Sequence, residues 1–207
     1  YPWPSFEMYP QVTGLAGAKR HAVPLLPDGR HDLRAMADAV TDSTGLIFLC
    51  SPNNPTGPVL THAELPAFLA RVPPHVVVAL DEAYWEFATD PEAARGIELL
   101  DSHPNLVLMR TFSKAHGLAG IRVGYAIAHE AVIEGLLKAV IPFGVTEVSQ
   151  AAALVSLDHH DEVLDRAREI AAQRDAFADA LRAQGWSVPQ AQGNFVWLPL
   201  GEWSDAF

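Results

Sequence analysis

The chain has 207 residues, 49% of them hydrophobic and 19% charged, with a mean hydropathy of +0.09, the profile of a globular protein with material for one sizeable core. Its 14 Lys and Arg against 25 Asp and Glu leave a formal net charge of −11 and no basic cluster, which sets nucleic acid aside as a partner. Apolar runs are short and broken, so no membrane span is expected; the lone Cys50 allows no internal disulfide, and without an export pattern at the start the expected location is cytoplasmic.

In chain order, a β-branched run at 21–25 is the first candidate strand. Leu33, Met36, Ala37 and Val40 then fall at i, i+3, i+4 and i+7, the spacing of one helix face. After a candidate strand at 46–50, Leu65, Phe68, Leu69 and Val72 repeat that spacing, opened by Thr61 and Glu64 in a capping-box pattern. Further strands are predicted at 76–80, 106–110 and 123–128, and another helix carries Ile133, Leu136, Leu137 and Val140. A long helix is predicted over 161–184, with Val163, Ala167, Ile170, Phe177 and Leu181 along one side and Gly185 placed to stop it. Trp186–Val188, a turn at 189–193 and an apolar run at 195–200 read as a strand pair.

Strands alternating with helices predict an α/β fold with a largely parallel sheet, and the near-continuous apolar runs predict strands covered on both faces. The expected organisation is a large domain over 1–145, then a long connecting helix and the beginning of a smaller α+β domain over 146–207. The chain starts at Tyr1 without a Met and ends at Phe207 in an apolar stretch, so it is expected to be a fragment of a longer protein.

Four motifs stand at the carboxyl ends of predicted strands, where open α/β sheets build their sites. Ser51-Pro52-Asn53-Asn54-Pro55-Thr56-Gly57 reads alone as a Pro/Asn/Gly turn, or as a rigid turn that presents the Asn54 amide to a ligand oxygen. In Asp81-Glu82-Ala83-Tyr84, Asp81 could be a helix cap or ion-pair partner; functionally, a strand-end carboxylate can keep a pyridine nitrogen protonated. Thr111-Phe112-Ser113-Lys114 contains a lysine that in isolation would be merely solvated. It is followed at once by Gly117-Leu118-Ala119-Gly120-Ile121-Arg122-Val123-Gly124, whose glycines suit close backbone approach and whose Arg122 could reach a phosphate beside the Thr111 and Ser113 hydroxyls.

This series resembles the fold type I aminotransferases of class I/II, over the span from Pro4 to Leu198. It is most similar to the histidinol-phosphate aminotransferase subgroup, and within that to aromatic amino acid (phenylalanine) aminotransferases of actinobacterial type. The resemblance implies a fold type I large domain and pyridoxal 5'-phosphate as cofactor, with Lys114 joined covalently to it and then moving the substrate's proton. It further implies Asp81 on the ring nitrogen, Asn54 and Tyr84 on the phenolic oxygen, Arg122, Ser113 and Thr111 on the phosphate, and Phe6 stacked on the ring. The implied activity is amino transfer between an aromatic amino acid, or L-histidinol phosphate, and 2-oxoglutarate, by a homodimer. Decarboxylation of a phosphorylated amino acid, and a sensing domain of a transcription regulator, are the alternative readings. The resemblance also implies a phosphate-binding Gly/Ser turn before Tyr1 and a carboxylate-binding arginine after Phe207, so these residues alone are expected not to transaminate.

Other residues invite a functional reading less well. His159-His160-Asp161-Glu162 is read as an acidic helix start rather than a metal cluster, and no metal is expected. His116 is expected to act behind Lys114, Trp85 and Trp197 to pack in the core or an interface, and Cys50 to pack in its strand.

Overall fold

The computed structural model describes residues 1–201 and 204. Positions 202, 203 and 205–207, the end of the expected second unit, lie outside the described residues. In order, the elements are β1 (Pro2–Trp3), α1 (Met8–Leu15), β2 (Val23–Pro24), α2 (Leu33–Asp38), β3 (Leu46–Cys50) and α3 (Glu64–Leu69). There follow β4 (Val77–Asp81), β5 (Leu106–Thr111), β6 (Gly124–Ala128), α4 (Glu130–Leu137), α5 (Glu147–Asp158) and α6 (His160–Ala183).

The main sheet runs β3-β4-β5-β6, with β3, β4 and β5 parallel and β6 antiparallel on β5. The largely parallel α/β expectation therefore holds, and each strand of this sheet lies within about a residue of its predicted span. The 21–25 run shortens to β2, which pairs in parallel with β1 in a separate ribbon. Leu49, Val76, Val78, Leu80, Leu106 and Leu108 are essentially inaccessible and pack with Leu65, Phe68 and Leu69 of α3 and Met36 of α2. At about 25 cal/mol per Å² of apolar surface buried, this cluster is the main support of the sheet.

Local signals are realised where their chemistry is self-contained. Thr61 and Glu64 exchange the two capping-box bonds: Glu64 N–H donates to Thr61 Oγ1 (3.2 Å), and Thr61 N–H to Glu64 Oε2 (3.0 Å). Helix α6 ends at a Schellman motif in which Gly185 (φ 91°) donates to the Arg182 carbonyl and Trp186 to that of Leu181. His159 precedes α6 and bonds Glu162 (2.8 Å), as a helix start should. Among the described residues no His, Cys, Asp or Glu group is placed to hold a metal, and no helix is long and apolar enough to cross a membrane.

The expected strand pair after α6 does not form: residues 186–200 contain no strand. Residues 189–193 turn their hydrogen bonds to other segments instead. Gln192 donates its N–H to the Gly57 carbonyl (3.1 Å) and accepts at Oε1 from the Thr89 and Asp90 N–H groups (2.7 and 2.9 Å). Helices α1 and α5 were not anticipated. Helix α1 holds one buried residue, Tyr9, and so lacks a buried apolar stripe; α5 carries Val148, Ala151, Ala152 and Val155 at i, i+3, i+4 and i+7, but leaves Val148 and Val155 exposed.

Candidate active site

The parallel register sets the geometry. Cys50 of β3 lies opposite Asp81 of β4, and Asp81 opposite Met109 of β5, so the segments leaving these strand ends emerge side by side. They are the Asn/Pro loop, the Asp81–Tyr84 turn and the Thr111–Lys114 turn.

In the first, the two asparagines divide the work. Asn53 is 1% exposed and acts as a hub. Its Oδ1 accepts from Ser5 Oγ (2.7 Å) and faces His31 Nε2 (3.2 Å), while its Nδ2 donates to the Pro4 carbonyl (3.2 Å) and to Thr56 Oγ1 (2.7 Å). Burial holds the His31 imidazole neutral, down to about 4. Asn54 faces the other way: its Nδ2 donates to the Tyr84 hydroxyl over 3.4 Å. Gly57 closes the loop at φ 101°, where a Cβ would lie 2.8 Å from the Gln190 carbonyl oxygen.

Asp81 ends β4 with both carboxylate oxygens engaged. Oδ1 accepts from the Ala83 N–H (3.1 Å) and Oδ2 from the Tyr9 hydroxyl (2.9 Å). Burial raises its pKa above the ordinary carboxylate value, against the opposing pull of the Tyr9 hydroxyl, the Ala83 N–H and the nearby Lys114 charge. Each carboxylate oxygen has two lone pairs, so Asp81 keeps capacity for a further donor.

The Lys114 ammonium lies 4.9 Å from the centre of the Tyr84 ring and donates no hydrogen bond among the described residues. Tyr84 is itself buried, held edge-on by Phe195 (5.1 Å between centroids, 86°). Thr111 Oγ1 accepts from the Ser113 N–H (3.0 Å), which tightens the turn ahead of the lysine. Gly117 takes φ 70°, and a Cβ on Gly124 would meet the Arg110 carbonyl at 2.8 Å, so two of the three glycines answer the expectation; Gly120 has open space. His116 bonds Ser156 Oγ (2.7 Å) and stacks near His160 (6.1 Å), tying the lysine turn to α5 and α6.

Asn54, Tyr84, Asp81 and Lys114 are thus brought together. Phe6 approaches through Tyr9, whose ring it meets edge-on at 5.7 Å. Arg122 stands apart: exposed, with a left-handed backbone (φ 55°), it donates to the Ala119 carbonyl (2.7 Å) rather than to either hydroxyl. Sequence reasoning missed Tyr9, Phe195 and Arg174. Tyr9 sits three residues after Phe6, a spacing that could have flagged it, but its partner Asp81 is 72 residues away.

The sequence matches the family of class I and II aminotransferases over residues 1–206. The chain belongs to that family. Among curated aminotransferases it is 56% identical over 207 residues to the aromatic amino acid aminotransferase of Streptomyces coelicolor, covering 100% of this chain and 58% of that protein. It is 54% identical to the Rhodococcus opacus protein of the same name, covering 57% of it. The chain therefore spans somewhat more than half the length of these relatives. Among solved aminotransferases, the histidinol-phosphate aminotransferase of Sinorhizobium meliloti in complex with pyridoxal-5'-phosphate is 30% identical, with a TM-score of 0.85 over 93% of this chain and 52% of that one. The L-threonine-O-3-phosphate decarboxylase of Porphyromonas gingivalis is 25% identical, with a TM-score of 0.77 over 93% of this chain and 56% of that one. The aminotransferase fold type I large-domain expectation is met.

Proposed function

We propose that the complete protein is a pyridoxal-phosphate aminotransferase that moves an amino group between an aromatic amino acid and 2-oxoglutarate. The observation that carries this reading is the meeting of Lys114, Asp81 and the Asn54–Tyr84 pair at adjoining strand ends. The donor set suits the cofactor: a largely buried carboxylate for a ring N–H, an amide and a phenol for a phenolic oxygen, and a lysine with no hydrogen-bond partner among the described residues for a carbonyl carbon. Arg122, Ser113 and Thr111 would hold the phosphate, with Arg122 released from Ala119, and Phe6 would cover the ring face.

When bound, the cofactor supplies an electron sink for the substrate carbon that loses its proton. Asp81, ionised, keeps the ring nitrogen protonated. Asn54 and Tyr84 stabilise negative charge on the phenolic oxygen. Lys114 would take the proton from the substrate Cα as base and carry it as acid for the return.

The aromatic preference rests on relatives more than half identical to this chain. Histidinol phosphate, named for the S. meliloti neighbour, is the alternative substrate. We further propose a cytoplasmic homodimer with a large domain over 1–145 and a second unit beginning at 146. The exposed apolar side chains of Ile141, Phe143, Val148 and Val155, with Phe143 99% exposed, support an assembly that covers them.

The test is borohydride reduction of the cofactor-loaded complete protein, followed by peptide mapping. A pyridoxyl group is expected on Lys114, and Lys114→Ala should lose the label and at least about 1,000-fold in phenylalanine–2-oxoglutarate transamination. A label elsewhere, or a Lys114→Ala protein with normal turnover, overturns the reading. Release of CO₂ from a phosphorylated amino acid in place of amino transfer would move the protein to the decarboxylase class.

A further inference from the structure

Besides the backbone of its own turn, the Asp81 carboxylate is held by a tyrosine 72 residues away in sequence. Tyr9 is 3% exposed, and its ring lies flat on Phe48 of β3 (4.6 Å between centroids, 8° between planes). That stack leaves the ring little freedom and directs the hydroxyl onto Asp81 Oδ2 at 2.9 Å. The backbone is fixed as well, by the Tyr9 N–H on the Phe6 carbonyl (3.1 Å) and Thr13 Oγ1 on the Tyr9 carbonyl (2.7 Å). The turn leading into α1 therefore carries both Phe6 and the donor for Asp81, with the two rings edge-on to each other.

The hydroxyl is well suited to that place. A neutral donor adds no charge that would compete for the carboxylate, yet it favours the ionised form in a site where burial disfavours it. With the Ala83 N–H on Oδ1, it gives each carboxylate oxygen one donor, which restricts the rotation of the carboxylate and leaves each oxygen a lone pair for a further donor.

We propose that Tyr9 is a positioning residue that keeps Asp81 ionised and oriented toward the ring nitrogen of the cofactor. The proposal rests on the assignment of Asp81 made above, and the two can fail separately. The probe is the affinity of the complete apoprotein for pyridoxal phosphate, compared with that for an analogue carrying CH in place of the ring nitrogen. Tyr9→Phe keeps the ring and the Phe48 stack and removes only the hydroxyl. It should weaken pyridoxal phosphate about tenfold, the effect of one hydrogen bond to a charged group, and leave the analogue within about twofold of wild type. Asp81→Asn should abolish the preference for the ring nitrogen, and adding Tyr9→Phe to it should change nothing further. Equal weakening of both ligands by Tyr9→Phe would mean that Tyr9 only supports packing and would overturn the proposal, as would no weakening of either. An Asp81→Asn protein that keeps the wild-type preference would overturn the assignment of Asp81 itself, and that of Tyr9 with it.

Discussion

Replacing Arg174 by Met should destabilise the protein by removing a buried set of hydrogen-bond donors from α6. The Arg174 side chain is 2% exposed and fans its donors over separate segments. Nη1 donates to the Phe87 and Gly193 carbonyls (2.9 and 2.8 Å), Nη2 to Thr89 Oγ1 (3.1 Å) and Nε to Asp175 Oδ1 (2.8 Å). Methionine restores most of the stem volume and none of these bonds, so two buried carbonyls lose a partner at about 1–3 kcal/mol each. Relief of the guanidinium's own desolvation offsets part of that, leaving a loss of about 3 kcal/mol. At roughly 2–4 °C per kcal/mol, Tm should fall by about 6–12 °C in a thermal scan of the complete protein. Arg174→Lys keeps the charge but reaches fewer acceptors and should recover less than half. The consequence extends to the site, because Gly193 leads to Phe195, the ring that holds Tyr84 edge-on. A drop of less than about 2 °C in Arg174→Met would show that the carbonyls find other partners and that the lock is not built as described.

Two further perturbations test different physics. Glu86 has a buried Oε2 without a partner among the described residues, and burial pushes its carboxyl up to about 7. Because the folded value lies above the unfolded 4.5, stability falls as pH rises between them and the penalty is complete above about 7. Glu86→Gln should therefore raise stability by about 1–3 kcal/mol at pH 8 and by almost nothing at pH 4, read from urea unfolding; equal effects at both pH values would refute this. Gly57→Ala forces a side chain into φ 101° and against the Gln190 carbonyl oxygen at 2.8 Å. It should cost about 2 kcal/mol or more and weaken cofactor affinity by loosening the Asn54 loop, and an alanine variant of wild-type stability would contradict the close packing.

The strands were legible because strand character is local. The runs at 46–50, 76–80 and 106–110 are apolar on both faces, which only a doubly covered parallel sheet requires, and they became β3, β4 and β5. The capping box at Thr61 and the stop at Gly185 were legible for the same reason, each being closed by residues a few positions apart. Where partners are distant, local reading failed. The strand pair after α6 is expected from two apolar stretches about a turn, while Gln192 donates its N–H to Gly57 and accepts at its side-chain oxygen from the Thr89 and Asp90 N–H groups. Helix α1 was missed because it buries only Tyr9 and so lacks an apolar stripe.

What the sequence by itself determined is the order of the candidate site residues along the chain: Asn54, Asp81, Tyr84, Lys114 and Arg122, each at or just past a strand end or turn. Order follows from covalent succession, and strand ends can be read from composition. What only the tertiary structure decided is which side chains meet. The parallel register sets Asp81 between Cys50 and Met109, packing against Phe48 delivers Tyr9 to Asp81, and the Arg174 lock brings Phe195 to Tyr84. These contacts join segments tens of residues apart, and their geometry is set by the packed core rather than by local propensity. Arg122 marks the boundary between the two: its place in the order is plain in the sequence, and its guanidinium rests on Ala119.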